Sequence, residues 1–244
     1  MVFERFLTNR REFELTAEEM RLLDGAVSTR RIVDARTTMI KAGERVTSST
    51  MLVRGFMSRY IDDPAGLRQL VAVHVSGEFV DLHAYPMREL DHSVGTLTQC
   101  EVAIIPHDAL KRVLDGHESL SRKLWFSTLL DAALHRAWLF RVGRLDALGR
   151  VAHLFCEMNA RLESAGLSDG NAFELPLTQA DIAEICGLTA VHVNRVLRQL
   201  REGGLCQFRS GSVTLINPAA LARRGHFDPH YLYLKTMPTA RWPD

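Results

Sequence analysis

Residues 175–205 read LPLTQADIAEICGLTAVHVNRVLRQLREGGL, and this stretch decides the fold of the C-terminal part of the chain. Thr178 can cap a short first helix with its hydroxyl, and Asp181, three positions later, supports the cap. Gly187 can take the positive φ that ends a helix, and Thr189 can cap a second helix. The pattern therefore predicts two helices joined by a turn, the helix-turn-helix arrangement.

The second predicted helix has two chemically different faces. At 100° per residue its apolar side chains share one stripe that would face a core, namely Val193, Val196, Leu197 and Leu200. The opposite side carries Val191, Asn194, Arg195 and Arg198, with His192 and Gln199 beside them. Arginine can donate two hydrogen bonds to guanine, and asparagine can pair with adenine. The pattern is typical of a helix that reads DNA, and an ordinary helical hairpin with a solvated basic face would show it too.

A predicted β-hairpin follows this second helix. Two short β-prone runs, 205–208 and 213–216, flank the turn Arg209-Ser210-Gly211-Ser212. A hairpin in this position is a wing. Arg209 and Ser210 at its tip are placed to contact phosphate, which positions a protein on DNA without reading its sequence.

Composition limits the remaining possibilities. The chain has 244 residues, 46% hydrophobic residues and a net charge of +1, so one or two domains fit and DNA affinity must come from a local patch. Its four cysteines form no C-x-x-C pair, which argues against zinc ribbons and thiol redox motifs. Because it shows neither a signal peptide nor a run of 18 apolar residues, we expect a cytoplasmic protein with no membrane partner.

The pattern along the chain predicts an α+β fold in four segments. Residues 1–106 form an effector-type β-barrel domain, of the double-stranded β-helix or jelly-roll type, with N-terminal helices. Residues 107–142 form a long dimerisation helix, 143–224 a winged helix-turn-helix domain, and 225–244 a C-terminal extension. The barrel can enclose one small ligand or be filled by its own side chains. The aromatic-rich start of the extension is expected to pack on a neighbouring surface.

The predicted helix over 107–142 has an apolar stripe that needs a partner. The stripe consists of Leu110, Val113, Leu114, Leu120, Leu124, Leu130, Leu134 and Ala137. A second copy of the chain is the preferred partner, because helix-turn-helix proteins commonly pair to read two half-sites. The alternative is a helix packed against its own barrel.

The order of barrel, long helix, helix-turn-helix and wing resembles the Crp/Fnr family of bacterial transcription regulators over about residues 20–222. The motifs that carry the resemblance are Gly43-Glu44, Gly77-Glu78-Phe79, the junction 143–152 (GRLDALGRVA) and the segment Leu177 to Leu205. The resemblance implies a homodimer that binds palindromic promoter sites in double-stranded DNA and contacts RNA polymerase. Arg195 matches the family's guanine-reading arginine, and Thr189 matches a cap residue that also touches phosphate. The predicted DNA-contacting residues are Thr178, Gln179, Thr189, Ala190, Val191, His192, Asn194, Arg195, Arg198, Arg209 and Ser210.

Several departures from the family pattern bear on what the protein recognises. Val191 stands where many members have a glutamate, so the half-site is expected to differ from the best-known ones. Leu90 or Asp91 stands where cyclic-AMP-binding members hold the phosphate with arginine, and Asp81 adds a negative charge. The chain has no cysteine before Cys100, unlike the iron–sulfur members. Cyclic AMP and an iron–sulfur cluster are therefore disfavoured, no cofactor is predicted, and the effector stays unknown.

The candidate effector residues form a small set in the barrel, namely Gly77, Glu78, Asp81, Leu90, Asp91, His92 and Ser93. The histidines of this region match no metal or haem template, so no metal site is predicted. His83 and His92, together with Asp81 and Asp91, are close enough in sequence to sense pH or a polar effector.

The sequence contains no G-x-S-x-G, H-E-x-x-H or phosphate-loop motif, so no catalytic residue is predicted and the protein is not expected to be an enzyme. The favoured function is a sequence-specific, homodimeric transcription regulator that is not controlled by cyclic AMP. The alternative is a ligand-sensing module that lacks sequence-specific DNA binding.

Overall fold

The computed structural model describes residues 1–236, which fall into two compact units that meet in sequence at Asp131 and Ala132. Within these residues, every helix is too short or too polar to cross a lipid bilayer. A single helix, α4 (Glu118–Arg144), contributes residues to both units.

The first unit is built from two antiparallel sheets of four strands each. The strands are β1 (Thr29–Val33), β2 (Thr38–Ile40), β3 (Ser48–Arg54), β4 (Met57–Asp62), β5 (Arg68–His74), β6 (Glu78–Phe79), β7 (Ser93–Thr96) and β8 (Cys100–Pro106). Their order is β1-β8-β3-β6 in one sheet and β2-β7-β4-β5 in the other. The predicted α+β fold is confirmed, with the barrel open: its two sheets are not joined into a ring by hydrogen bonds.

The first unit has two apolar cores. One consists of buried side chains from both sheets, including Leu52, Met57 and Val94. The other forms between the sheet containing β3 and β8 and the helices around it, which are α1 (Ala17–Gly25), α2 (Ala84–Met87), α3 (His107–Leu114) and the first half of α4. Because strands alternate their side chains between two faces, β3 and β8 contribute to both cores.

The predicted continuous helix over residues 107–142 is wrong in one respect: it is two helices. Gly116 has φ +86° and Asp115 has already left helical geometry, so α3 ends at Leu114 and α4 begins at Glu118. Glycine adopts positive φ without the penalty that a side chain would bring, which makes the break possible here.

The predicted apolar stripe also faces a different way. Its members Leu110, Leu120, Leu124 and Leu130 are buried in the core of their own unit, as the alternative reading proposed. The large apolar side chains that α4 exposes are others, namely Trp125, Leu129, Leu139 and Phe140. Periodicity alone could not separate the two faces, because both carry leucines at helical spacing.

The second unit combines α-helices with a three-stranded sheet. Its further elements are α5 (Ala147–Ser164), β9 (Ala172–Glu174), α6 (Gln179–Cys186), α7 (Ala190–Glu202), β10 (Cys206–Arg209), β11 (Ser212–Leu215), α8 (Pro218–Gly225) and a 3₁₀ turn (Pro229–Leu232). The predicted wing is confirmed as β10 and β11. The segment ahead of α6, for which the sequence pattern predicts no strand, supplies a third strand, since β9 pairs with β11 and buries Phe173. Three residues, of which only Phe173 has a strong preference for strands, are too short a run to predict a strand.

The segment after the wing packs on α5. A side chain on Gly225 would bring its Cβ within 2.5 Å of the His153 backbone nitrogen, so α8 can approach α5 closely only because residue 225 is glycine. Phe227, Leu232 and Leu234 are buried, as expected for the start of the extension, whereas residues 237–244 lie outside the described part.

A hydrogen-bonded carboxylate lies beneath this segment. Glu157 on α5 is fully buried and accepts hydrogen bonds from Trp138 Nε1 at 2.9 Å, Arg161 Nη1 at 3.2 Å and the Tyr231 hydroxyl at 2.8 Å. Burial acts to raise the pKa of Glu157, but neighbouring cations, with Arg161 foremost, leave that pKa below its ordinary value. Tyr231 therefore completes the hydrogen bonding of an ionised group inside the unit.

Candidate nucleic-acid interface and effector region

The first helix of the helix-turn-helix begins and ends as its residues predict. The Thr178 hydroxyl accepts a hydrogen bond from the Asp181 backbone N–H at 3.1 Å, and the Asp181 carboxylate accepts one from the Thr178 N–H at 2.7 Å. Gly187 ends α6 in the left-handed conformation, with φ 61° and ψ 47°. Arg150 on α5 donates to the carbonyl oxygens of Cys186 and Gly187, which fastens the turn to the supporting helix.

The second helix presents a polar face to solvent over an apolar base. The Thr189 hydroxyl accepts from the His192 N–H and caps α7. Val193, Val196 and Leu200 are buried, while Leu197 is half-buried, as the predicted stripe requires. The exposed side of α7 carries Val191, Asn194, Arg195, Arg198 and Arg201.

The structure leaves every predicted DNA-contacting side chain accessible. Gln179 and His192 are half-buried, and the other nine are exposed. Gln179, on the first turn of α6, is joined to Asn194 on α7 by a side-chain hydrogen bond of 3.3 Å from Asn194 Nδ2 to Gln179 Oε1. The start of α6 and the outer face of α7 therefore form one continuous polar surface, which we call the reading face (residues 178–179 and 189–198).

The wing turn has the backbone of a tight hairpin. Ser210 has φ 51° and Gly211 has φ 76°, and two successive positive φ values are typical of the turn type that matches the twist of paired strands. Arg209 pairs with Ser212 at the end of the ladder and is exposed. The turn thus presents Arg209 and Ser210 to solvent at the tip of the hairpin.

A groove beside the reading face was not predicted. It has a volume of about 480 Å³, and His192, Arg195 and Gln199 of α7 line it together with Asp146 and Arg224. Arg224 donates to Asp146 across 2.5 Å. The basic pair Arg223-Arg224 is visible in the sequence. Arg224 and Asp146 are 78 residues apart, however, so no local pattern could predict that they line one groove.

The structure places the predicted effector residues in different surroundings. Gly77 takes φ +96° where the chain contacts Arg5, and Glu78 is half-buried beside His74. Leu90 is buried, whereas the Asp91 side chain is 81% exposed. A hydrogen bond of 2.7 Å joins Asp91 Oδ1 to His92 Nδ1. Ser93 accepts a hydrogen bond from the Ala42 N–H. No cationic side chain stands at positions 90 and 91, as the sequence indicates.

Asp81 and its neighbours form a buried polar cluster. Burial raises the pKa of Asp81 to about 7, although a hydrogen bond from the Thr50 N–H and the charge of Arg59 lower it. Burial, reinforced by Arg59, lowers the pKa of His83 to about 3, and burial lowers the pKa of His74 to about 4. Burial likewise lowers the pKa of His92, so the cluster favours neutral side chains around one arginine.

Sequence reasoning missed the centre of this cluster. Arg59 on β4 is almost fully buried and donates to the Val80 carbonyl oxygen and to Asp131 Oδ2, each at 2.6 Å. Asp131 lies 72 residues further along, on α4, so nothing local in the sequence relates the two. Within residues 1–236, no three His, Cys, Asp or Glu side chains come close enough to hold a metal ion.

Two protein-family models match the chain. A cyclic nucleotide-binding domain matches residues 30–117, and a Crp-like helix-turn-helix domain matches residues 149–224. Together they cover both the two-sheet unit and the reading face with its wing.

Curated relatives and solved structures agree with these matches. A probable transcriptional activator of Rhizobium leguminosarum bv. viciae is 28% identical over 183 residues, 75% of each chain. The fumarate and nitrate reduction regulatory protein of Escherichia coli K12 is 22% identical over 88% of this chain and 86% of its own. The structure of FixK2 from Bradyrhizobium japonicum superposes with a TM-score of 0.72 at 23% identity, covering 80% of this chain and 96% of that one.

Proposed function

The chain belongs to the Crp/Fnr family of transcription regulators, and on that premise we propose that it binds palindromic promoter DNA as a homodimer through the reading face. It is a DNA-binding regulator and not an enzyme. The observation that carries the proposal is the two-sided α7, whose apolar residues are buried while Asn194, Arg195 and Arg198 face solvent. Such a helix can enter the major groove edge-on and hydrogen-bond to bases.

Each part of the surface has a distinct role in this proposal. Arg195 donates to guanine O6 and N7, and Asn194 pairs with adenine. Val191, which is 82% exposed, contacts a thymine methyl group. Thr178, Thr189, Arg209 and Ser210 contact phosphates and so position the protein on the duplex.

The exposed apolar face of α4 supports pairing of two copies through this helix. Trp125, Leu129, Leu139 and Phe140 are each at least 45% exposed, although all four are large apolar side chains. A second α4 would remove these side chains from water, at about 25 cal/mol for each Å² covered. Two copies related by a two-fold axis would then present two reading faces to two half-sites.

Partners and location complete the proposal. We propose that the dimer contacts RNA polymerase at its promoters, as the resemblance to Crp/Fnr regulators implies, and that it acts in the cytoplasm. Run-off transcription with purified RNA polymerase, with and without the protein, tests the first point. Cyclic AMP is not proposed as the effector, because Leu90 and Asp91 offer its phosphate no cation.

Selection of bound sequences from a random duplex pool tests the function. The expected product is a palindrome whose half-site centres lie about one helical turn, roughly 10 base pairs, apart. Arg195→Ala, selected in parallel, should relax the preference at one base pair per half-site by roughly 1–3 kcal/mol. Recovery of no preferred sequence by folded wild-type protein would contradict the proposal and favour the alternative, a ligand-sensing module without sequence-specific DNA binding.

A further inference from the structure

The groove beside α7 contains an arginine that lies outside both the helix-turn-helix and the wing. Arg224 occupies the last turn of α8, and its side chain lines the same groove as His192 and Arg195. The side chain is 36% exposed, so Arg224 is partly accessible to solvent while it lines the groove.

The helix that carries Arg224, α8, packs closely against α5. Gly225 packs against the His153 backbone so closely that a Cβ would lie 2.5 Å from its nitrogen. A Cβ on Gly149 would lie 3.3 Å from the Arg224 carbonyl oxygen, which is tight contact as well. These two close approaches fix α8 on α5, and a fixed helix gives an arginine side chain a defined origin.

Asp146 orients the Arg224 guanidinium and leaves some of its N–H donors available. Arg224 Nη2 donates to Asp146 Oδ2 at 2.5 Å, while Asp146 Oδ1 accepts the Gly149 N–H that caps α5. The hydrogen bond from Arg224, followed by that from Gly149, lowers the pKa of Asp146, so its side chain stays a carboxylate. A guanidinium carries five N–H donors, so the bond to Asp146 leaves donors that a second anion can accept.

The charges in the groove select an anionic occupant. Arg195 and Arg224 face one carboxylate, Asp146, so the permanent charges leave one positive charge in excess. Phosphate is the anion whose geometry a guanidinium fork matches, and in duplex DNA phosphates flank every base that a helix in the groove can reach.

We propose that Arg224 binds a DNA backbone phosphate beside the base pair that Arg195 reads. The inference rests on the proposed function and adds to it a phosphate contact from α8. The Asp146 carboxylate holds Arg224 in place in the free protein, and in the complex the guanidinium bridges this carboxylate and the phosphate.

The experiment compares Arg224→Ala with Arg223→Ala, its neighbour on the same helix that does not line the groove. Dissociation constants are measured for the selected site and for a random duplex at several salt concentrations, and the salt slope is the slope of log K against log salt concentration. For Arg224→Ala we expect equally weaker binding to both duplexes and a salt slope whose magnitude is smaller by about 0.9 per subunit. Arg223→Ala should keep the wild-type slope, and an equal loss in both variants would overturn the assignment to the groove.

If the proposal is correct, Asp146→Asn should strengthen DNA binding, whereas Arg224→Ala should weaken it. Asparagine caps helices about as well as aspartate, so the variant should keep the start of α5. Removal of the carboxylate should tighten binding to both duplexes severalfold. A lower melting temperature for Arg224→Ala with an unchanged salt slope would make Arg224 a structural residue only and overturn the proposal.

Base reading by Arg195 and the phosphate contact of Arg224 can be tested separately. If wild-type protein selects no sequence at all, the proposed function fails. If it selects a palindrome that Arg195→Ala relaxes, while Arg224→Ala binds with the wild-type slope, the reading face stands and the contact from α8 is refuted.

Discussion

Asn194 Nδ2 donates a hydrogen bond to Gln179 Oε1 at 3.3 Å, so the two helices of the helix-turn-helix are joined at their outer surface as well as in their core. An asparagine amide has two N–H donors and one acceptor oxygen. One donor is directed at Gln179, and the second donor and the oxygen match N7 and N6 of adenine. Gln179 therefore orients the side chain that is proposed to read an adenine.

Removal of Gln179 should weaken base reading by Asn194. Asn194→Ala is expected to lose roughly 1–3 kcal/mol of preference at one A·T pair. Gln179→Ala should lose part of the same preference at the same position, and the double variant should match Asn194→Ala. The two single variants, the double variant and the wild type form a double-mutant cycle, which is measured by competition binding with duplexes that differ at single positions. Additive losses at two different positions would show that the two side chains act independently.

Removal of the wing arginine should weaken binding without changing its sequence preference. Arg209 is exposed at the tip of the hairpin, where phosphates and not base edges are expected. Arg209→Ala should bind specific and random duplexes more weakly by the same factor, with a salt slope smaller by about 0.9 per subunit. A changed consensus in a repeated selection would show that Arg209 reads bases, contrary to the wing assignment.

A charge on the exposed face of α4 should separate the two copies. Trp125 is 66% exposed and Leu129 is 52% exposed, one helical turn apart, so Leu129→Glu would put a carboxylate in the middle of the proposed contact. We expect the variant to be monomeric in light scattering and to lose most of its affinity for the palindrome. Ile32→Glu is the control, since Ile32 is 62% exposed on β1. An unchanged dimer in Leu129→Glu would place the dimer interface elsewhere.

The buried Asp81 should make stability depend on pH in a defined direction. Its ordinary pKa of 3.8 applies in the unfolded chain, and burial raises the folded value to about 7. Between these values the folded protein holds a proton that the unfolded chain has released, so stability falls as pH rises through this window. Asp81→Asn removes the effect and keeps an oxygen to accept from Thr50.

Denaturant titrations of both proteins at pH 5, 6, 7 and 8 measure this difference. The stability of Asp81→Asn relative to wild type should increase from pH 5 to about 7 and then level off. The buried histidines titrate in both proteins and largely cancel in the comparison. A difference that stays constant across this range would show that Asp81 has no raised pKa.

The parts of the fold that local signals determine could be predicted from the sequence. The caps Thr178 and Thr189, the helix end at Gly187 and the wing turn at Gly211 each depend on residues within a few positions. Hydroxyl caps and positive-φ glycines have few alternative uses, so these signals are specific. They determine the reading face almost completely.

The parts that depend on distant pairings could not be predicted. Arg59 meets Asp131 and Arg224 meets Asp146 across more than 70 residues, and no local pattern encodes either ion pair. The outward face of α4 was assigned to the wrong leucines, because periodicity shows that a helix has an apolar stripe and not what covers it.

The buried Glu157 determines where the DNA-binding segment can end when it is transplanted into another regulator. A graft that ends at Leu215 would retain the whole reading face and the wing turn, yet it would lose Arg224 and leave the buried Glu157 carboxylate without the hydrogen bond from the Tyr231 hydroxyl. Loss of a hydrogen bond to a charged group costs about 1.5–3 kcal/mol, a sizeable share of the stability of a small domain. Chimeras that exchange operator specificity between regulators should therefore carry the donor polypeptide through Leu234.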